Sequence, residues 1–401
     1  MQLAKGFSLA LLVVLGAIGA SQATSGTSAT PQGRGGAGAP SFQVDPLWPK
    51  PLPNHWLFGS ITGVAVDAQD HIWVVHRGAD SANPTTEIGL TGNPPTSEFC
   101  CLPAPQVLEF DQAGTLVGHW GGAGKGYEWP QSPGGIAIDP KGNVWIAAVG
   151  PVASAGGRGR GSATPPAPRP TDAHVLKFSR TGQFLQQIGQ AGKPEGSDSK
   201  TGLNRPSAVD VDPAANELYV ADGLGNHRVV VFDAATGAYK RHWGAYGAAP
   251  VDADQGAYDP GAPPSKQFRT VSCVKVAKDG MVYVCDRGNN RIQVFQKDGK
   301  FVKEVFVSKA TRGDGSVWDV AFSKDAQQRH LFVADGQDQK VFVLDRNTLE
   351  VVSSFGGGGR WPGYFYGVGS VAVDSKGNVY TGENLEGKRL QKFVPKSGGS
   401  R

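Results

Sequence analysis

Short stretches in which apolar positions alternate with small or polar ones recur along the chain. They read Gly63-Val64-Ala65-Val66-Asp67, Gly135-Ile136-Ala137-Ile138-Asp139, Ala208-Val209-Asp210-Val211-Asp212, Cys273-Val274-Lys275-Val276, Asp319-Val320-Ala321-Phe322 and Ser370-Val371-Ala372-Val373-Asp374. A period of two marks a strand with one face buried. Each is followed by a turn and a second apolar strand, such as Ile72-Trp73-Val74-Val75 or Leu218-Tyr219-Val220. The turns Lys141-Gly142-Asn143, Lys278-Asp279-Gly280 and Lys376-Gly377-Asn378 carry the Gly and Asn that tight hairpins need. Third strands end at Phe110, Phe178, Phe232, Phe295, Leu344 and Phe393, and five fourth strands follow them. Six copies of one four-stranded unit predict an all-β chain folded as a six-bladed β-propeller.

The sixth copy has no fourth strand of its own. The unassigned stretch Ser41-Phe42-Gln43-Val44-Asp45 is expected to supply it and to close the ring, which removes an exposed sheet edge. The alternative is a tail lying on the surface. The propeller is expected over residues 41–396, preceded by a disordered linker at 24–40 and followed by a short tail at 397–401. Three insertions interrupt the pattern, at 79–105, 150–173 and 245–268. The first two fall at equivalent places in their blades and should emerge on one face. The second is rich in Gly, Ala, Pro and Arg and is expected to be mobile.

Lys5 precedes an apolar run from Phe7 to Gly19, and Ser21-Gln22-Ala23 offers the small residues a signal peptidase reads. Residues 1–23 are therefore expected to be a cleaved signal peptide, with a retained N-terminal anchor as the alternative. The mature chain is expected to be exported, periplasmic or extracellular, with no integral membrane segment after cleavage. The 57 Gly and 28 Pro residues suit a chain built of turns, and an apolar fraction of 39% suits strands buried on one face. A formal charge of +4 over 401 residues gives no footprint for nucleic acid.

Four cysteines in an exported chain invite pairing. A hairpin register centred on Asp279 sets Cys273 opposite Cys285, within disulfide reach. Two buried thiols are the alternative. Cys100 and Cys101, neighbours in the first insertion, are candidates for a vicinal disulfide and make a poor metal site.

The segment Ala221-Asp222-Gly223 with Asn226 and Arg228 returns as Cys285-Asp286-Arg287 with Asn290 and Arg291. These blades resemble the NHL repeat. The region from Phe42 to Val394, with His76-Arg77-Gly78 and Gly382-Glu383, resembles the peptidyl-α-hydroxyglycine α-amidating lyase family. The resemblance implies a channel site in which arginines, here Arg77 and Arg287, hold a substrate carboxylate, with His76 as a neighbour. It also implies zinc on three histidines at the starts of inner strands, and those positions here are Gly134, Ser272 and Gly369. An expected Tyr is Leu224, and an expected acid is Ser370.

Three readings follow. The first is an exported propeller binding a peptide or small anionic ligand through Arg77, Arg287 and His76, with no metal or other cofactor. The second is an active lyase releasing a peptide amide and glyoxylate with an altered metal site and zinc as cofactor. A calcium-dependent lactonase type needs several channel carboxylates. Among the inner-strand starts only Asp319 is acidic.

Overall fold

The computed structural model describes residues 39–151 and 170–396. The expected signal peptide, nearly all of the linker, most of the second insertion and the tail lie outside them. The propeller prediction holds: six four-stranded antiparallel sheets follow one another along the chain.

The innermost strands are Ile61–Val66, Pro133–Ile138, Ala208–Asp212, Val271–Val276, Asp319–Phe322 and Val368–Val373. Blade 6 takes its outer strand from the start of the chain. Phe42–Asp45 pairs with Leu390–Pro395, setting Phe42 opposite Pro395 and Val44 opposite Phe393. The Phe42 ring lies 5.5 Å from Phe332 and 5.0 Å from Phe355, so the strand also fills the seam between blades 5 and 6.

Among the described residues there is no single core. Six buried apolar clusters each straddle two neighbouring blades, including Trp73 of blade 1 with Ile146 of blade 2 and Tyr380 of blade 6 with Ile61 of blade 1. Every blade therefore buries its faces only against its neighbours, which is why the ring has to close.

Strand direction alternates within each blade, so connections between second and third strands and those between blades all leave at one end. We term this the upper face. The insertions at 79–105 and 245–268 share it, as do the described ends of the one at 150–173, while the tight hairpins occupy the lower face. β-Bulges interrupt four inner strands near their upper ends, between Ile61 and Gly63, Pro133 and Ile136, Val271 and Cys273, and Val368 and Ser370. A bulge re-aims side chains, and here it does so at the channel mouth.

The hairpin register places Cys273 opposite Cys285, and the two are disulfide-bonded with Cα atoms 4.9 Å apart. Cys100 and Cys101 are also bonded to each other. No helix among the described residues is long and apolar enough to cross a membrane.

Candidate functional site

Arg77 and Arg287 occupy the same place in their blades, immediately after a second strand that runs up to the upper face. Equivalent backbone bonds fix them: Arg77 N–H donates to Ser60 O at 3.0 Å and Arg287 N–H to Thr270 O at 2.8 Å. Blades 1 and 4 stand opposite one another in a ring of six, so the two arginines rise from opposite sides of the mouth.

Neither guanidinium forms an ion pair among the described residues. Burial lowers Arg77 to about 10, and burial also lowers Arg287, against the opposing pull of Asp314. The Nε atoms of both are buried without a hydrogen-bond partner. Arg287 lies 4.3 Å from the Trp318 ring centre, a cation–π contact that holds the group without satisfying its donors. Trp318 in turn lines a small upper cavity of about 30 Å³ with Thr62, Ser207, Ser272, Asp319 and Gly369.

His76 is not brought into the channel as a free ligand. Its ring is fully buried, Nδ1 accepts from Gly59 N–H and Gly78 N–H at 3.0 Å each, and Nε2 donates to Pro105 O at 2.9 Å. Burial lowers it to about 4, so it is neutral with the proton on Nε2. Its role in this geometry is to brace the turn that carries Arg77.

The positions the resemblance assigns to zinc lie at the bulges. Gly134 has no side chain, and a Cβ built there would meet Ser207 O at 2.6 Å. The Ser272 hydroxyl donates to Val317 O at 2.9 Å, and Gly369 brings no donor atom. This donor set does not fit a zinc site of the three-imidazole type.

Below the mouth lies a set of residues that the sequence motifs did not single out. The middle residues of the inner strands face the channel at one level and read Ala65, Ala137, Asp210, Lys275, Ala321 and Ala372. Four alanines make the charged pair conspicuous, and that contrast was the signal available in the sequence. Asp210 Oδ2 accepts from Val276 N–H at 2.7 Å, and burial raises its carboxyl although Lys275 opposes the shift. Asp319 is likewise raised by burial against Lys275. Lys275 borders both the upper cavity and a lower one of about 210 Å³.

Asp67, His71 and Glu109, on the lower side, bring one possible metal-ligating atom each within 4.8 Å of the others. Arg180 already supplies the cation: its guanidinium reaches Asp67 at 3.0 Å and also pairs with Glu109. The group joins blades 1 and 2.

The NHL repeat family matches residues 203–232 and 268–295, which span most of blades 3 and 4. The chain is 24% identical over 352 residues to peptidyl-glycine alpha-amidating monooxygenase B of Xenopus laevis, covering 84% of this chain and 34% of that protein. It is also 24% identical over 374 residues to NHL repeat-containing protein 3 of Mus musculus, covering 89% and 85% respectively. The chain thus spans about a third of the monooxygenase's length. Among solved structures, catalytically inactive virginiamycin B lyase from Staphylococcus aureus with quinupristin aligns over 89% of this chain and 90% of that one, at 11% identity and a TM-score of 0.45. The chain is a six-bladed β-propeller carrying NHL repeats, homologous to peptidylglycine α-amidating monooxygenases and NHL repeat-containing proteins.

Proposed function

We propose that the chain is an exported propeller that binds a peptide or small carboxylate at the upper channel mouth, gripped by Arg77 and Arg287 and without a zinc site. The observation that carries this reading is the pair of buried Nε atoms with no partner. A desolvated guanidinium without an acceptor is costly, and a carboxylate matches its fork with two parallel hydrogen bonds. His76 keeps Arg77 in place, and Trp318 does the same for Arg287. The two disulfides support an oxidising compartment.

Calorimetric titration of short peptides tests the reading. Peptides ending in a free carboxylate should bind the wild type, and their C-terminal amides should bind about tenfold or more weakly. Arg77→Ala and Arg287→Ala should each remove that preference. Equal affinity for acid and amide, or a preference that survives both substitutions, would overturn the proposal.

The second reading, a lyase releasing glyoxylate from peptidyl-α-hydroxyglycine, draws support from the homology to amidating monooxygenases. One tightly bound zinc per chain with chelator-sensitive glyoxylate release would favour it over the first.

A further inference from the structure

The lower half of the channel holds chemistry unrelated to the arginines. Its cavity, about 210 Å³, is walled by the lower ends of inner strands and contains two ammonium groups, Lys275 and Lys324, against one carboxylate, Asp210. Lys324 follows the inner strand of blade 5 and keeps contact with solvent, so this end is open to entry. Lys275 stands at the waist, where it closes the cavity toward the upper face.

We propose that this lower cavity is a second ligand site, which takes a small oxyanion, a carboxylate or phosphate, between Lys275 and Lys324. Neither ammonium forms an ion pair or a hydrogen bond among the described residues. Two carboxylates face Lys275, and both are held by backbone N–H groups: Asp210 Oδ2 accepts from Val276, and Asp319 accepts from Val320 and Val371. Each inner strand pairs on one edge only, so its channel-side N–H groups remain as neutral donors beside the two ammoniums, which are the charged donors facing the space.

Electrostatics point the same way. Lys324 is lowered first by burial and further by Lys278 and Lys275, while Asp210 and Asp70 oppose the shift. Like charges are therefore crowded at this mouth, and an anion between them relieves the repulsion while replacing lost water contacts. The raised carboxyl of Asp210, where protonated, adds an O–H donor toward an anionic oxygen. Ala65, Ala137, Ala321 and Ala372 wall the rest of this narrow space, which limits the guest to a compact anion.

The test replaces chloride by inorganic phosphate or by succinate at constant ionic strength and follows the thermal midpoint and calorimetric binding of the mature chain. The expected result is a saturable response to at least one of the two, and which one identifies the oxyanion class. Lys324→Ala should weaken binding about tenfold, and Lys324→Glu should abolish it. Lys324 lies at the cavity rim with part of its surface in solvent, so these variants should fold even if Lys275→Met does not. Arg77→Ala and Arg287→Ala should leave the response intact, which separates this site from the upper one. No saturable response in the wild type, a response that survives Lys324→Glu, or one that the arginine substitutions remove would overturn the proposal.

Discussion

Arg291 Nε donates to Asp286 Oδ2 at 2.8 Å with neither side chain exposed to solvent. The same carboxylate accepts from Arg269 N–H at 2.9 Å and from Asn289 Nδ2 at 2.7 Å. Asp286 is therefore committed within its own blade, and the adjacent Arg287 stays without a carboxylate partner. Blade 3 repeats the device with Asp222 and Arg228 at 2.9 Å.

Removing the cation from such a pair strands a buried charge. Arg291→Ala should destabilise the fold by about 3–5 kcal/mol. Urea unfolding at neutral pH measures this, and a loss below about 1 kcal/mol would show that the pair is not a strut of blade 4.

In blade 5 the device is broken. Asp335 faces Lys340 where blades 3 and 4 have arginine, and its Oδ2 is buried with no hydrogen-bond partner. Burial raises the carboxyl to about 7. The folded state then holds a proton that the unfolded chain releases near pH 4, so this group's stabilising contribution is full below pH 4 and lost as pH rises to 7. The loss is at most about 4 kcal/mol. Asp335→Asn should be more stable than the wild type at pH 8 and lose that advantage at pH 4; an unchanged difference across this range would refute the assignment.

His76 titrates in the opposite sense. Its value of about 4 lies below that of an exposed imidazole near 6.5, so acidification through this window protonates only the unfolded chain. The wild type should lose about 3 kcal/mol from this group between pH 6.5 and 4. His76→Gln should flatten that part of the stability profile, and NMR should show His76 neutral with its proton on Nε2 at pH 5.5. A protonated ring at that pH would contradict the geometry.

Deleting residues 24–48 removes the outer strand of blade 6 and Trp48, whose ring packs 4.9 Å from Tyr380. The thermal midpoint should fall by at least about 3–4 °C, the shift expected when about 2–3 kcal/mol is lost from a chain of this size, or the cooperative transition should vanish. An unchanged midpoint would mean that the ring does not depend on this strand.

The blades, the closing strand and the Cys273–Cys285 pairing were legible because each rests on local alternation, turn chemistry and hairpin register. Arg77 and Arg287 were legible as motif positions, but their lack of partners was not, since it depends on Asp286 choosing Arg291. Likewise, nothing local to His76 shows that Gly59, Gly78 and Pro105 consume both of its nitrogens. The lower channel stayed hidden for a different reason. The aligned inner-strand motifs already show Asp210 and Lys275 among alanines, but only ring geometry sets them in one cavity with Lys324. His71 stands in no sequence motif, whereas Asp67, Glu109 and Arg180 converge on it from two blades.

The bond between the first and last strands also works as a check on length. Phe42 finds its partner about 350 positions later, so this strand must wait until Leu390–Pro395 has been synthesised, a slow and highly non-local step. Until then blade 6 has no outer strand and the seams it shares with blades 5 and 1 stay incomplete. A ribosome that stops short therefore leaves an open ring with sticky edges, the kind of product that proteases recognise. Only a chain that extends through Leu390–Pro395 can hide these edges.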